Sequence, residues 1–308
     1  MRDLRKDLRQ YIDLRRALGY KLRKHEPRLT EFIGFFKAQG TDRITTKLAV
    51  ACATESSKNH EHSCCERLRI VRSFARHMSS MDARTEIPPT GSMRQPDTVL
   101  RRYIYTSEEI GRLMAAAHNL FSPRRLRCHT YYHLVGLLAT TGMRSGEAVR
   151  LAESDVNLAE GLLTIRESKF GKSRVIPLHP TTIKALTAYK ARRNAFLKRA
   201  EAPTFFINER GGPISSPHKG FRDIRCAAGL EQVGNGRYPR MHDLRHTFAV
   251  QTLLAWYRSG ADVERNLPIL STFLGHSHIE HTYWYLTSTP ELLGAACERL
   301  EMRWSRPR

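Results

Sequence analysis

Apolar residues in the first eighty positions recur every three or four residues. Over residues 3–18, Leu4, Leu8, Tyr11, Ile12 and Leu18 alternate with a basic series of Arg2, Arg5, Lys6, Arg9 and Arg16, the pattern of an amphipathic helix with a cationic outer face. The same period predicts a second helix over 26–39, closed by Gly40, and a third from Thr45 or Thr46 to about Ser56. A fourth, from about His60 to Met81, turns Leu68, Val71, Ala75 and Met78 inward and lines Arg69, Arg72 and Arg76 along one outward stripe. Residues 1–85 therefore read as a small helical bundle. The period then stops. Residues 86–102, E-I-P-P-T-G-S-M-R-Q-P-D-T-V-L-R-R, are proline-rich with no apolar repeat and read as an extended linker.

From residue 103 the pattern alternates between the two periods. Thr106 and Glu109 form a capping box that opens a helix to about His118, and a second helix over about Arg127 to Thr141 stops at Gly142. There follows M-R-S-G-E-A-V-R-L, where Ser145 is suited to cap a short helix and Arg144 sits on the tight connection. Residues 162–167 and 173–178 are β-rich runs flanking S-K-F-G-K, which predicts a hairpin with Gly171 in its turn and Lys169 and Lys172 at its tip. A helix over 180–199, a short strand at Thr204–Ile207, a helix through 216–228 and a helix opening at His242 come next. Thr289–Pro290 starts a last helix over 289–304, with Leu292, Leu293, Ala296 and Leu300 as its apolar stripe.

Charge changes the picture more than composition does. The chain of 308 residues is ample for two domains, and no apolar run nears the roughly 20 residues that span a bilayer. With 51 Lys plus Arg against 30 Asp plus Glu, the net charge of +21 implies a polyanionic partner, nucleic acid first. One basic helix face is ordinarily solvated surface, but several in such a chain point to DNA phosphates. The N-terminus M-R-D-L-R-K-D-L has no apolar signal core, which fits a cytoplasmic protein. The six cysteines show no C-x-x-C spacing and read as reduced thiols.

The densest chemistry lies in M-H-D-L-R-H, residues 241–246. On a helix His242, Arg245 and His246 would share a polar face, with Leu244 and Phe248 turned to the core. The H-x-x-x-H spacing also suits paired zinc ligands, but Asp243 stands where the general-base Glu would be and no third ligand is spaced for it. The other reading is an anion site, in which Arg245 forks two N–H groups onto a phosphate beside His242.

Taken in order, T-G-M-R-S-G-E, a Lys in a hairpin that ends in V-I-P-L, H-D-L-R-H, L-G-H and a Tyr nine residues on resemble the tyrosine recombinase (phage integrase) family. K-F-G-K-S-R-V-I-P-L-H-P and T-Y-W-Y-L-T-S-T-P-E-L-L resemble, more narrowly, recombinases found as adjacent trios in bacterial mobile elements. The resemblance implies a mainly α fold with a small β-sheet: a helical core-binding domain at 1–85, a linker at 86–102 and an α+β catalytic domain at 103–308. It implies that Arg144 and Arg245 are the catalytic arginines, Lys169 the lysine, His242 and His276 the histidines and Tyr285 the nucleophile, with Glu147 bracing Arg144. Lys172 is the alternative lysine and Tyr283 the alternative nucleophile; His278 and His281 receive no role. Arg69, Arg72, Arg76 and Lys172 are the expected DNA contacts.

The implied chemistry is physically coherent. Attack by a phenol on a phosphodiester builds charge on the non-bridging oxygens, which two fixed guanidinium forks stabilise with neither metal nor cofactor. His242 and the arginines would activate the phenol, Lys169 would protonate the departing 5′-oxygen, and His276 would hydrogen bond the phosphate. The implied partners are double-stranded DNA, a tetramer on synapsed DNA and, for the trio group, partner recombinases. A catalytically silent DNA-binding protein and a type IB topoisomerase remain the alternatives.

Overall fold

The computed structural model describes residues 3–41, 43–55, 61–93, 102–166, 173–198, 201–232 and 238–304. The chain forms two compact units, Met1–Val99 and Leu100–Arg308. No helix among the described residues is long and apolar enough to cross a membrane.

Among the described residues the first unit holds four helices: α1 (Leu4–Ala17), α2 (His25–Ala38), α3 (Thr46–Glu55) and α4 (Glu61–Ser79). Asp3 starts α1 by accepting the Arg5 N–H at 3.0 Å. Leu4, Leu8, Tyr11 and Ile12 of α1 meet Leu68, Val71, Phe74, Ala75 and Met78 of α4 in one core, while Arg5, Lys6, Arg9 and Arg16 stay outside. Leu18, expected in the apolar stripe, is exposed, because the helix has ended at Ala17. The stripe on α4 is also less uniform than its spacing suggests. Arg69 and Arg76 are exposed, but Arg72 folds back, its Nε and Nη2 donating to the Pro88 and Pro89 carbonyls at 2.6 and 2.7 Å. Glu86 accepts the Thr46 N–H at the start of α3 (2.8 Å) and donates its own N–H to the Ile44 carbonyl (2.9 Å). The opening of the expected linker is thus extended, yet fastened to the helical unit.

The second unit begins with α5 (Ser107–His118), whose Thr106 and Glu109 complete the reciprocal capping box, and α6 (Arg127–Thr141). After α7 (Ser145–Val149) comes an antiparallel sheet in the order β1 (Val156–Asn157), β2 (Leu162–Ile165), β3 (Arg174–Pro177). Leu163 faces Ile176 and Ile165 faces Arg174 across the hairpin, so one face buries Leu163, Ile165 and Ile176. Then follow α8 (Pro180–Leu197), α9 (Pro217–Ala227), α10 (Asp243–Arg258), α11 (Val263–Leu274), α12 (Glu280–Tyr283), a 3₁₀ turn at Trp284–Thr287, and α13 (Pro290–Trp304). The strand expected at Thr204–Ile207 does not form. Only single bridges, Ala152 to Thr204 and Ile207 to Pro213, flank it, and Phe205, Phe206 and Ile207 are all buried, which abolishes the alternation a strand needs.

Two apolar clusters build this unit. One gathers α5, α6, the sheet, α8 and α9; the other joins α10 and α11 to Tyr285 and Leu292. Close approach of α9 to α6 depends on Gly220, since a Cβ there would stand 2.2 Å from Cζ of Tyr131, itself buried. Gly220→Ala is expected to destabilise the protein by about 1–3 kcal/mol through overpacking, in spite of alanine's better helix propensity of about 1 kcal/mol. Urea denaturation checks this, with recovery expected in the Gly220→Ala, Tyr131→Leu double variant.

Candidate active site

Three guanidinium groups converge on the C-terminal end of α11. Arg174 Nε donates to the Phe273 carbonyl at 2.9 Å, Arg245 Nη2 to Leu274 at 2.7 Å and Arg144 Nη2 to Gly275 at 2.6 Å. The last carbonyls of a helix lack intrahelical partners and carry its negative dipole end, so cations are favoured there. Gly275 takes φ +70° to end the helix, and a Cβ on it would lie 2.7 Å from Arg174 Nη1.

Each arginine is also held from behind. Gly142 ends α6 at φ +58° with its carbonyl accepting from Arg245 Nη1 at 3.0 Å, and two residues on Arg144 precedes α7. Ser145, expected as the cap of α7, is its first residue instead; the Glu147 carboxylate reaches back to the Arg144 N–H at 2.9 Å. That carboxylate also bonds the Arg144 side chain at 2.7 Å and both Nη atoms of Arg174, at 3.1 and 2.7 Å. Burial would raise the Glu147 pKa, but hydrogen bonding and charge from Arg174 and then Arg144 prevail and hold it near 2. Arg245 is shifted down to about 10 by burial and by the charge of Arg144. One carboxylate, shared by Arg144 and Arg174, stands against three guanidiniums here, and the surplus charge makes this a place for an anion.

The first turn of α10 is buried all round rather than on one side. Asp243, Leu244, Arg245, His246 and Thr247 are all buried, His242 occupies the N-cap position, and Phe248, expected in the core, is only partly covered. Burial, then the Arg245 charge, lowers His242 to about 4. His246, given no role from sequence, lies with its Nδ1 2.9 Å from the Tyr285 hydroxyl and 3.3 Å from Arg102 Nη1. Burial and Arg102 take it to about 2, so its ring is neutral near pH 7.

Tyr285 is 1% exposed on the 3₁₀ turn, and burial raises its pKa against the opposing pull of the Arg245 and Arg102 charges. His276 stacks parallel to the Tyr285 ring at 6.3 Å, donates or accepts at Thr282 Oγ1 through Nδ1 at 2.7 Å, and is lowered to about 3 by burial and Arg245. Tyr283 is instead half-exposed on α12. His278 and His281 lie on the exposed side, each ring about 6 Å from a histidine neighbour. Lys169 and Lys172 lie outside the described residues. Among the described residues no group of three His, Cys, Asp or Glu stands together to hold a metal.

Of the residues read from sequence, Arg144, Glu147, Arg245, His242, His276 and Tyr285 therefore share one neighbourhood; Arg69, Arg72 and Arg76 belong to the other unit. Sequence reading missed three. Arg174 could have been found as the charged residue at the start of an otherwise apolar strand, S-R-V-I-P-L. His246 had the signal of sitting beside Arg245. Arg102, whose guanidinium lies 4.1 Å over the Trp284 ring, gave none, being one arginine among many in the basic linker.

A family model described as the phage integrase family matches residues 104–291. Protein y4rB of Sinorhizobium fredii, whose name provisionally calls it an integrase/recombinase, is 42% identical over 99% of both chains. The tyrosine recombinase XerD of Corynebacterium glutamicum is 30% identical over 67% of this chain and 62% of its own. A lambda integrase tetramer bound to a Holliday junction has a similar fold, with a TM-score of 0.61 and 22% identity over 92% of this chain and 76% of that one.

The depressed Glu147 pKa has a thermodynamic consequence. Its folded value of about 2 lies below the unfolded value of 4.5, so its contribution is fully present above pH 4.5 and lost as pH falls towards 2. Relative to Glu147→Gln, the wild type is expected to lose about 3 kcal/mol across that window. Denaturation at pH 7, 4.5 and 2.5 measures it; parallel pH curves for the two proteins would contradict it.

Proposed function

This chain belongs to the phage integrase family and is a tyrosine recombinase, a site-specific DNA breaking and rejoining enzyme; we propose that Tyr285 is its nucleophile and that it serves a bacterial mobile element at the nucleoid. The observation that carries the assignment is the placing of the Tyr285 hydroxyl against Arg245 and His246, beside the anion site bounded by Arg144 and Arg245. Arg144 and Arg245 take the non-bridging oxygens of the scissile phosphate, rigidly, because their remaining N–H groups are spent on carbonyls and Glu147. His276 adds a hydrogen bond to the phosphate from the face stacked on Tyr285. Lys169 protonates the 5′-oxygen as it departs. The phosphotyrosyl bond keeps the energy of the broken linkage, so a 5′-hydroxyl from a second duplex reverses the step without ATP.

Arg69 and Arg76, exposed on α4, contribute phosphate contacts, while Arg72 serves to fasten the chain after α4; Lys172, outside the described residues, is kept as a DNA contact on its sequence reading alone. The working form is a tetramer on two synapsed double-stranded DNA sites, with or without partner recombinases. Its assembly is supported by α13, which turns Leu292 into the core but leaves Leu293, Leu300 and Trp304 exposed. Apolar side chains in such a row suit a neighbouring subunit.

Denaturing capture of protein–DNA adducts is expected to recover a covalent 3′ adduct with the wild type and with Tyr283→Phe, and none with Tyr285→Phe, which keeps its DNA affinity. Adducts persisting in Tyr285→Phe would refute the assignment, and relaxation of an arbitrary supercoiled plasmid would move the reading to a topoisomerase. The Leu293→Ser, Leu300→Ser variant should recombine at least about tenfold more slowly with DNA affinity unchanged, consistent with loss of about 1.4 kcal/mol or more from an interface. Gel-shift and recombination assays run side by side separate the two.

A further inference from the structure

The phenol of Tyr285 needs a group to take its proton, and sequence spacing nominates His242. The geometry points elsewhere. His246 Nδ1 is 2.9 Å from the Tyr285 hydroxyl, whereas the contact shown for the His242 ring is with His246 itself, centroid to centroid at 5.0 Å.

The direction of the short contact follows from Arg102. A guanidinium has N–H donors and no acceptor, so Arg102 Nη1, 3.3 Å from His246 Nδ1, fixes that nitrogen as a lone pair and puts the ring proton on Nε2. The Tyr285 hydroxyl must then be the donor to Nδ1. Its oxygen lies in the positive field of Arg245 and Arg102, which favours the phenolate. A phenol whose proton points at a base and whose developing charge is favoured by two nearby guanidiniums is arranged for ionisation. Arg102 is itself steadied by the Trp284 ring, one residue from Tyr285.

We infer that His246 is the general base of the cleavage step, with Arg102 positioning it, a role that rests on Tyr285 being the nucleophile. As Tyr285 Oη bonds to phosphorus, its proton passes to His246 Nδ1, the bond from phosphorus to the 5′-oxygen breaks, and that oxygen leaves with a proton from the acid assigned to Lys169. In rejoining, His246 returns its proton to the departing phenol. The charged groups that face the ring are Arg102, Arg245 and Arg240, with His242 neutral beside it, and they keep it unprotonated and available in the free protein. The phosphodiester brings the negative charge that raises its basicity when it is needed.

The test uses the full chain and a nicked suicide duplex carrying the DNA sequence recovered with wild-type adducts, with adduct formation timed in a single turnover. His246→Asn keeps an acceptor near the position of Nδ1 but cannot carry the proton; His246→Ala opens a space for free imidazole. Both are expected to lose about 10²–10⁴-fold in cleavage rate at pH 7 with DNA affinity retained. The gap to wild type should close by about tenfold per pH unit from 7 to 9 as solvent ionises the phenol, and imidazole should partly restore His246→Ala but not His242→Ala. Wild-type rate in His246→Asn would reduce His246 to a positioning residue and overturn the inference, as would imidazole rescue confined to His242→Ala. In either case wild-type adducts leave the nucleophile assignment standing, whereas adducts from Tyr285→Phe would remove both.

Discussion

The end of α11 is where this structure is decided. Three successive carbonyls there, those of Phe273, Leu274 and Gly275, each receive one guanidinium, and the three arginines come from a strand, a helix start and an interhelical connection. Helix-end carbonyls are obligatory acceptors, and a buried arginine is tolerated only when its donors are used, so each satisfies the other. The geometry of the site is consequently inherited from secondary structure instead of being set by flexible side chains. Glu147 completes the arrangement by bridging two of the three cations with its single negative charge.

That dependence also explains which features were legible in the chain. The helices announce themselves through period, Thr106 with Glu109 announces a capping box, and Gly142 and Gly275 mark the ends where Arg144 and His276 follow. The ordered blocks from T-G-M-R-S-G-E to Tyr285 identify the family because each holds a charged or polar residue where only a shared anion makes sense of it. The roles of Arg174, His246 and Arg102 were not legible, even though the first two carried a local signal, since what each does depends on a partner 27 to 144 residues away. Arg72 misled for the same reason: an outward-facing position on a helical wheel says nothing about a proline-rich segment returning to cover it.

Burial separates the roles of residues that look alike in sequence. Tyr283 and Tyr285 share a turn, yet one is half-exposed and the other sealed; His242 and His246 share a helix start, yet only one reaches the phenol. A polar face drawn on α10 would have set His242, Arg245 and His246 against solvent. Burying all of that turn instead removes water from around the guanidinium and the imidazole, which strengthens their pull on a bound anion.

Tyr285 is at once a reactive group and a member of the apolar cluster of α10, α11 and Leu292. On the proposed chemistry, the cut strand is attached to the protein through this one side chain. Tension along the duplex would then pass through the phenol ring into three packed helices, and not into a loose loop. The enzyme grips the broken end by its own core, and a strand so gripped is hard to lose before it is sealed.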